Sequence, residues 1–136
     1  MEVSTILVAD YANIAEGGKP NVMGIFRQIN AETFPVRHPD MYLIVVLLAG
    51  PAEFGQKRTI TVKLINEDAT QELANFSAPI DVPTAISGRK SEINSILRLR
   101  DVIFTTPGTY QFSVLVDNDE KATLPIELNK IERPTS

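Results

Sequence analysis

The chain has one histidine. That residue, His38, stands two positions before Asp40 and is the side chain best suited to take up a proton near neutral pH. A serine-based hydrolytic device would need it as the base. No G-x-S-x-G segment is present to lift a serine into reach of one. A zinc site would need three or four nitrogen or sulfur ligands, and the chain supplies one histidine and no cysteine. His38 lies between Pro35 and Pro39, so it reads as a solvated loop residue. The acidic run Asp117-Asn118-Asp119-Glu120 resembles the opening of a calcium loop. An EF-hand requires glycine at its sixth position and glutamate at its twelfth, where this chain has Ala122 and Leu128. Asn and Asp also favour tight turns because they tolerate left-handed backbone angles, so a hairpin tip is expected. Glu16-Gly17-Gly18-Lys19 lacks the spacing of a phosphate-binding loop, and a Gly-Gly pair between two strands is first a turn. No catalytic residue, cofactor or metal site is expected, and the chain reads as a non-enzyme.

One polar concentration remains. Asp10, Tyr11, Asn13, Glu16 and Lys19 fall around a single connection, and loops carried on a rigid scaffold are where binding sites usually sit. Residues 10–21 are therefore the place for a small-molecule, carbohydrate or partner site, should the chain have one. Carbohydrate stacking is disfavoured by the absence of tryptophan and by aromatic residues at inward strand positions. Phe26, Phe76, Phe104 and Phe112 read as core.

Charge narrows the partners. Thirteen basic and 17 acidic side chains leave a formal charge of −4, which disfavours nucleic acid and anionic membranes. Lys57-Arg58, Arg89-Lys90 and Arg98/Arg100 are short clusters with acidic neighbours and read as solvated faces. Without cysteine there is no disulfide framework, which fits a reducing compartment. Residues 5–9 are too short for a secretory apolar region, and Glu2 stands where positive charge belongs. The longest apolar run, residues 41–49, has the length of a buried strand rather than of a membrane span. A cytoplasmic location and no membrane contact are expected.

The elements that carry these residues are strands. Short runs of alternating apolar residues are divided by turn residues, the pattern of an all-β antiparallel sandwich. Strands are expected at 3–11, 22–29, 41–49, 58–66, 71–78, 96–104 and 109–117, with an eighth carrying Leu124, Ile126 and Leu128. Residues 34–40, with Pro35 and Pro39, read as a connection, and 79–91 as irregular. With 136 residues and no linker-like composition, the whole chain reads as one domain.

Leu97-x-Leu99-x-x-Val102-x-Phe104-x-x-Pro107-Gly108-x-Tyr110-x-Phe112 resembles the E–F corner of an immunoglobulin-like sandwich. There a tyrosine hydroxyl hydrogen-bonds backbone a few residues upstream. The disulfide and tryptophan of antibody domains are absent. Ala9-Asp10-Tyr11-Ala12, Glu16-Gly17-Gly18-Lys19-x-Asn21, Gly24-Ile25-Phe26, Phe34-Pro35 and Pro107-Gly108-x-Tyr110-x-Phe112 together resemble a family of small bacterial proteins, a domain of unknown function. The resemblance covers nearly the whole chain and implies a bacterial or phage origin and a sandwich fold. It implies no activity.

Residues 41–49 do not alternate. Leu43, Val45 and Leu47 face one way, and Tyr42, Ile44, Val46 and Leu48 the other. A sandwich strand needs one apolar face, and leaving the second exposed would forfeit roughly 1.5–3 kcal/mol per side chain. Either the chain itself covers that face, for example with residues 79–91, or another molecule does. The expectation is a protein–protein interface, most simply twofold self-association, formed by Leu43, Val45 and Leu47 and extended by Ile65 and Leu115. The partner is then a second copy or another protein.

Overall fold

In a computed structural model the described residues are 1–86 and 88–132. They form nine strands: β1 (Glu2–Ile14), β2 (Pro20–Ile25), β3 (Gln28–Ala31), β4 (Val36–Ala49), β5 (Lys57–Asn66), β6 (Glu72–Asp81), β7 (Ser91–Phe104), β8 (Gly108–Val116) and β9 (Asp119–Lys130). A four-stranded sheet in the order β2-β1-β4-β7 faces a five-stranded sheet in the order β3-β9-β8-β5-β6. The core between them is made by alternate residues of both sheets. Met41, Leu43, Val45 and Leu47 of β4 meet Ile60, Val62 and Leu64 of β5 and Phe112 and Val114 of β8. The all-β sandwich expected from the alternation is the observed fold.

Strand number and direction differ from expectation in one region. The run expected as one strand over 22–29 is two, because the chain leaves the four-stranded sheet after Ile25 and enters the other at Gln28. Phe26 turns into the core at this crossing. As a result β3 runs parallel to β9, the one parallel pairing in an otherwise antiparallel set. β4 also begins earlier than expected, running through Pro39. Its contact with β1 ends at Tyr42, so near Pro39 only β7 lies alongside. A proline is tolerated where one side of a strand needs no donor.

The corner into β8 takes the form its sequence suggested. The Tyr110 hydroxyl donates to the Thr106 carbonyl at 2.8 Å, and its ring meets Phe104 edge-on at 4.9 Å. At the β8–β9 tip both Asp117 (φ 50°) and Asn118 (φ 67°) are left-handed, as a tight hairpin turn demands.

The second apolar face of β4 is covered from within the chain. β1 pairs with β4 from Glu2 to Ala9, then turns away and continues to Ile14 paired only with β2. This β1–β2 hairpin lies back across the outer side of its own sheet. Ala9 and Ala12 pack with Tyr42, Ile44 and Val46, with Val22 and Ile96 at the margin. Tyr11 meets Tyr42 edge-on at 5.3 Å. At the tip, the Asn94 amide of β7 donates to the Gly18 carbonyl at 2.9 Å.

Candidate functional site

The two sheets do not close along one side. β6 ends the five-stranded sheet and β7 ends the four-stranded one, so each presents a row of backbone groups with no strand beside it. Between them runs a groove of about 480 Å³, lined by residues 71–76 of β6 and 97–103 of β7. A deeper recess of about 220 Å³ adjoins it, walled by Leu43, Val45, Ile60, Val62, Leu97 and Phe76. At one end the Thr105 hydroxyl donates to the Gln71 side-chain oxygen at 3.1 Å.

Phe76 shows what the open side means. It stands opposite Val62 on β5, an inward position, yet is 46% exposed because no strand flanks the outer edge of β6. The expectation of a core phenylalanine is thus corrected: the register is inward, but the edge is open. Ile103, 53% exposed, adds a second apolar residue at the rim.

Two of the charged residues lining the groove, Arg98 and Asp101, are held in ion pairs. Arg98 holds Asp40 through two bonds, Nε to Oδ1 at 2.9 Å and Nη2 to Oδ2 at 2.7 Å, and stands 5.5 Å from the centre of the Tyr42 ring. The Arg98 hydrogen bond pulls the Asp40 carboxyl below its usual range. Arg37 bonds Asp101 at 2.5 Å. The groove therefore offers apolar surface and free backbone edges rather than a strong field.

The residues expected at an interface do not share one surface. Leu43, Val45 and Leu47 are 0–2% exposed between the sheets, because the inward set of β4 is the odd-numbered one. Ile65 and Leu115 alternate outward from the other sheet, half-buried beside Gln111 and Thr61 respectively. The five residues thus belong to two different layers, and what Leu43 and Val45 reach is the floor of the recess. The face left over, Tyr42, Ile44 and Val46, lies under the β1–β2 hairpin. Among the described residues, none of 79–91 belongs to that cluster. Their Val82 is buried at the end of the five-stranded sheet, where its N–H donates to the Gln56 carbonyl at 3.0 Å.

The loop residues are similarly dispersed. Asp10 packs on the backbone of Gly24 and Tyr11 on Tyr42, while Asn13, Glu16 and Lys19 are exposed. They share no pocket, because residues 10–25 form a covering hairpin. The small buried residues Ala9 and Ala12 were the available sequence signal.

His38 is half-buried against Phe26, ring centres 5.7 Å apart, and burial pushes its pKa down. Its neighbour Asp40 is held by Arg98. In the acidic run, Asp117 accepts the Thr59 N–H at 2.9 Å and Arg58 Nη1 at 2.9 Å. Asp119 pairs with Lys121 at 2.8 Å, and Glu120 accepts from Ser113 at 2.5 Å. Among the described residues no group of three or more His, Asp or Glu converges to hold a metal ion, and no helix is long and apolar enough to cross a membrane.

Solved structures that resemble this one include two larger proteins. One is Pseudomonas fluorescens alkylpurine DNA glycosylase AlkC bound to DNA containing an abasic site analogue. It is 19% identical, with a TM-score of 0.42 over 76% of this chain and 27% of that one. The other is Listeria innocua beta-glucosidase in complex with isofagomine, 10% identical, with a TM-score of 0.48 over 95% of this chain and 16% of that one. The chain thus spans less than a third of either protein, and neither likeness bears on its activity. No curated protein sequence matches it. The sequence model of a family of unknown function, DUF6941, matches residues 4–129, nearly the full length, and the chain belongs to that family.

Proposed function

We propose that this protein is a non-catalytic interaction module of the bacterial cytoplasm that binds an extended polypeptide segment along the open side between β6 and β7. The observation that carries this reading is Phe76, inward in register yet half in solvent at the mouth of an apolar recess. An added strand would hydrogen-bond the free edge of β6 or β7. Its alternate side chains would enter the groove, the mode by which exposed sheet edges recognise peptides. Backbone pairing supplies affinity, and the apolar recess supplies selectivity for an apolar side chain. The bound segment belongs to another protein or to a second copy.

A small-molecule site at residues 10–21 has less support, since those side chains do not converge. Peptide selection from a random displayed library tests the reading. Binders with alternating apolar residues are expected, weakened at least tenfold by Phe76→Lys and unchanged by Lys19→Ala in the hairpin. If no selected peptide depends on Phe76 or Ile103, the groove is not the binding surface.

A further inference from the structure

The β1–β2 hairpin has the properties of an exchangeable arm. Both of its ends leave the body at one point, since Ala9 pairs with Ile25 and the Phe26 N–H donates to the Val8 carbonyl at 3.0 Å. Beyond that hinge its contacts with the body are few. Ala12 and Val22 lie on Tyr42, Ile44 and Val46, Tyr11 lies on Tyr42, and Asn94 holds Gly18 at the tip.

The arm also leaves large apolar residues partly open to solvent: Tyr11, Met23 and Ile25 are 46%, 65% and 56% exposed, and Tyr11 and Met23 are direct cross-strand partners. The free edge of β2, Pro20-Asn21-Val22-Met23-Gly24-Ile25, has no charged residue, whereas natural edges are commonly guarded by charge.

We infer that this arm exchanges between two copies of the chain, each laying its hairpin on the Tyr42–Ile44–Val46 face of the other. The second copy is the occupant because the segment seated on that face is the chain's own hairpin, so a partner's arm makes the same contacts residue for residue. Such exchange is a low-cost route to a twofold dimer. Tyr11, Met23 and Ile25 sit in the hinge half of the arm. This surface is independent of the β6–β7 groove.

The absence of cysteine makes a direct test clean. Chains carrying Lys19→Cys and chains carrying Asn94→Cys are unfolded together, refolded as a mixture at high concentration and treated with a short bis-maleimide cross-linker. The expected product is a covalent pair joining position 19 of one chain to position 94 of the other. Asn94→Ala provides a second reading. It loosens the arm equally in both forms, so isotope-labelled copies should mix several-fold faster while the dimer fraction at a given concentration changes less than twofold. A mixture that yields no cross-linked pair between chains overturns the proposal. So does a dimer in which positions 19 and 94 cross-link only within a doubly substituted chain.

Discussion

The Tyr110 hydroxyl donates to the carbonyl of Thr106 at 2.8 Å and lies 3.3 Å from the Thr106 N–H, fastening the β7–β8 corner to the first turn of β8. The ring is 2% exposed and locked edge-on against Phe104. Tyr110→Phe keeps the ring and deletes the fastening, and a hydrogen bond of this kind contributes about 1 kcal/mol net. Urea unfolding should show a lower midpoint with an unchanged slope. An unchanged midpoint would mean the hydroxyl is no corner lock.

Leu47 and Ile103 separate burial from hydrophobicity. Leu47 is fully buried on β4 and Ile103 is 53% exposed on β7, although both read as apolar strand residues. Leu47→Ala should cost about 2–5 kcal/mol through lost transfer energy and the cavity left behind. Ile103→Lys should stay within about 0.5 kcal/mol of the parent, as surface substitutions do. Equal losses would place Ile103 in the core and close the groove.

These two residues also mark what the sequence made legible. Alternation in β5 and β8 was plain, because Ile60, Val62, Leu64, Phe112 and Val114 each follow a polar neighbour. The Tyr110 corner was readable because its spacing has a local cause. β4 showed a buried strand correctly, yet could not show which set faced inward, since both sets are apolar. Its cover was missed for a different reason: a hairpin that folds back is a long-range event, and its inner residues Ala9 and Ala12 are too small to register as apolar patterning. The groove was hidden for the same kind of reason. Phe76 has a core residue's type and register, and its exposure follows from the strand order alone.

Stability should fall in two steps as pH is lowered. Burial holds the His38 pKa below its ordinary value of 6.5, so the unfolded chain binds more protons between the two values. Stability from this group is complete above pH 6.5 and is lost as pH falls through the folded value. The carboxyls act at lower pH. The Thr59 N–H and Arg58 hold Asp117 below its ordinary value of 3.8, and Arg98 does the same for Asp40. Their contributions are present above that value and disappear as pH falls beneath it. Urea midpoints recorded from pH 8 to pH 3 should show both steps, and His38→Gln should remove the upper one alone. A profile that keeps its upper step in His38→Gln would assign that step to another group.

Gly24 and Asp10 meet at the hinge of the hairpin. Gly24 has φ +71°, and a Cβ there would stand 2.5 Å from the Asp10 Oδ2 and 3.0 Å from its carboxyl carbon. Gly24→Ala therefore suffers twice, from left-handed backbone and from crowding. The backbone part is about 1–2 kcal/mol for a residue with a Cβ. The crowding part depends on whether the short Asp10 side chain can swing aside, and a double-mutant cycle separates the two. Asp10→Ala removes the obstructing carboxylate. In its presence Gly24→Ala should cost only the backbone part, and alone it should cost more. Equal costs in both backgrounds would mean that the carboxylate rotates away freely and that only the backbone angle holds glycine at this hinge.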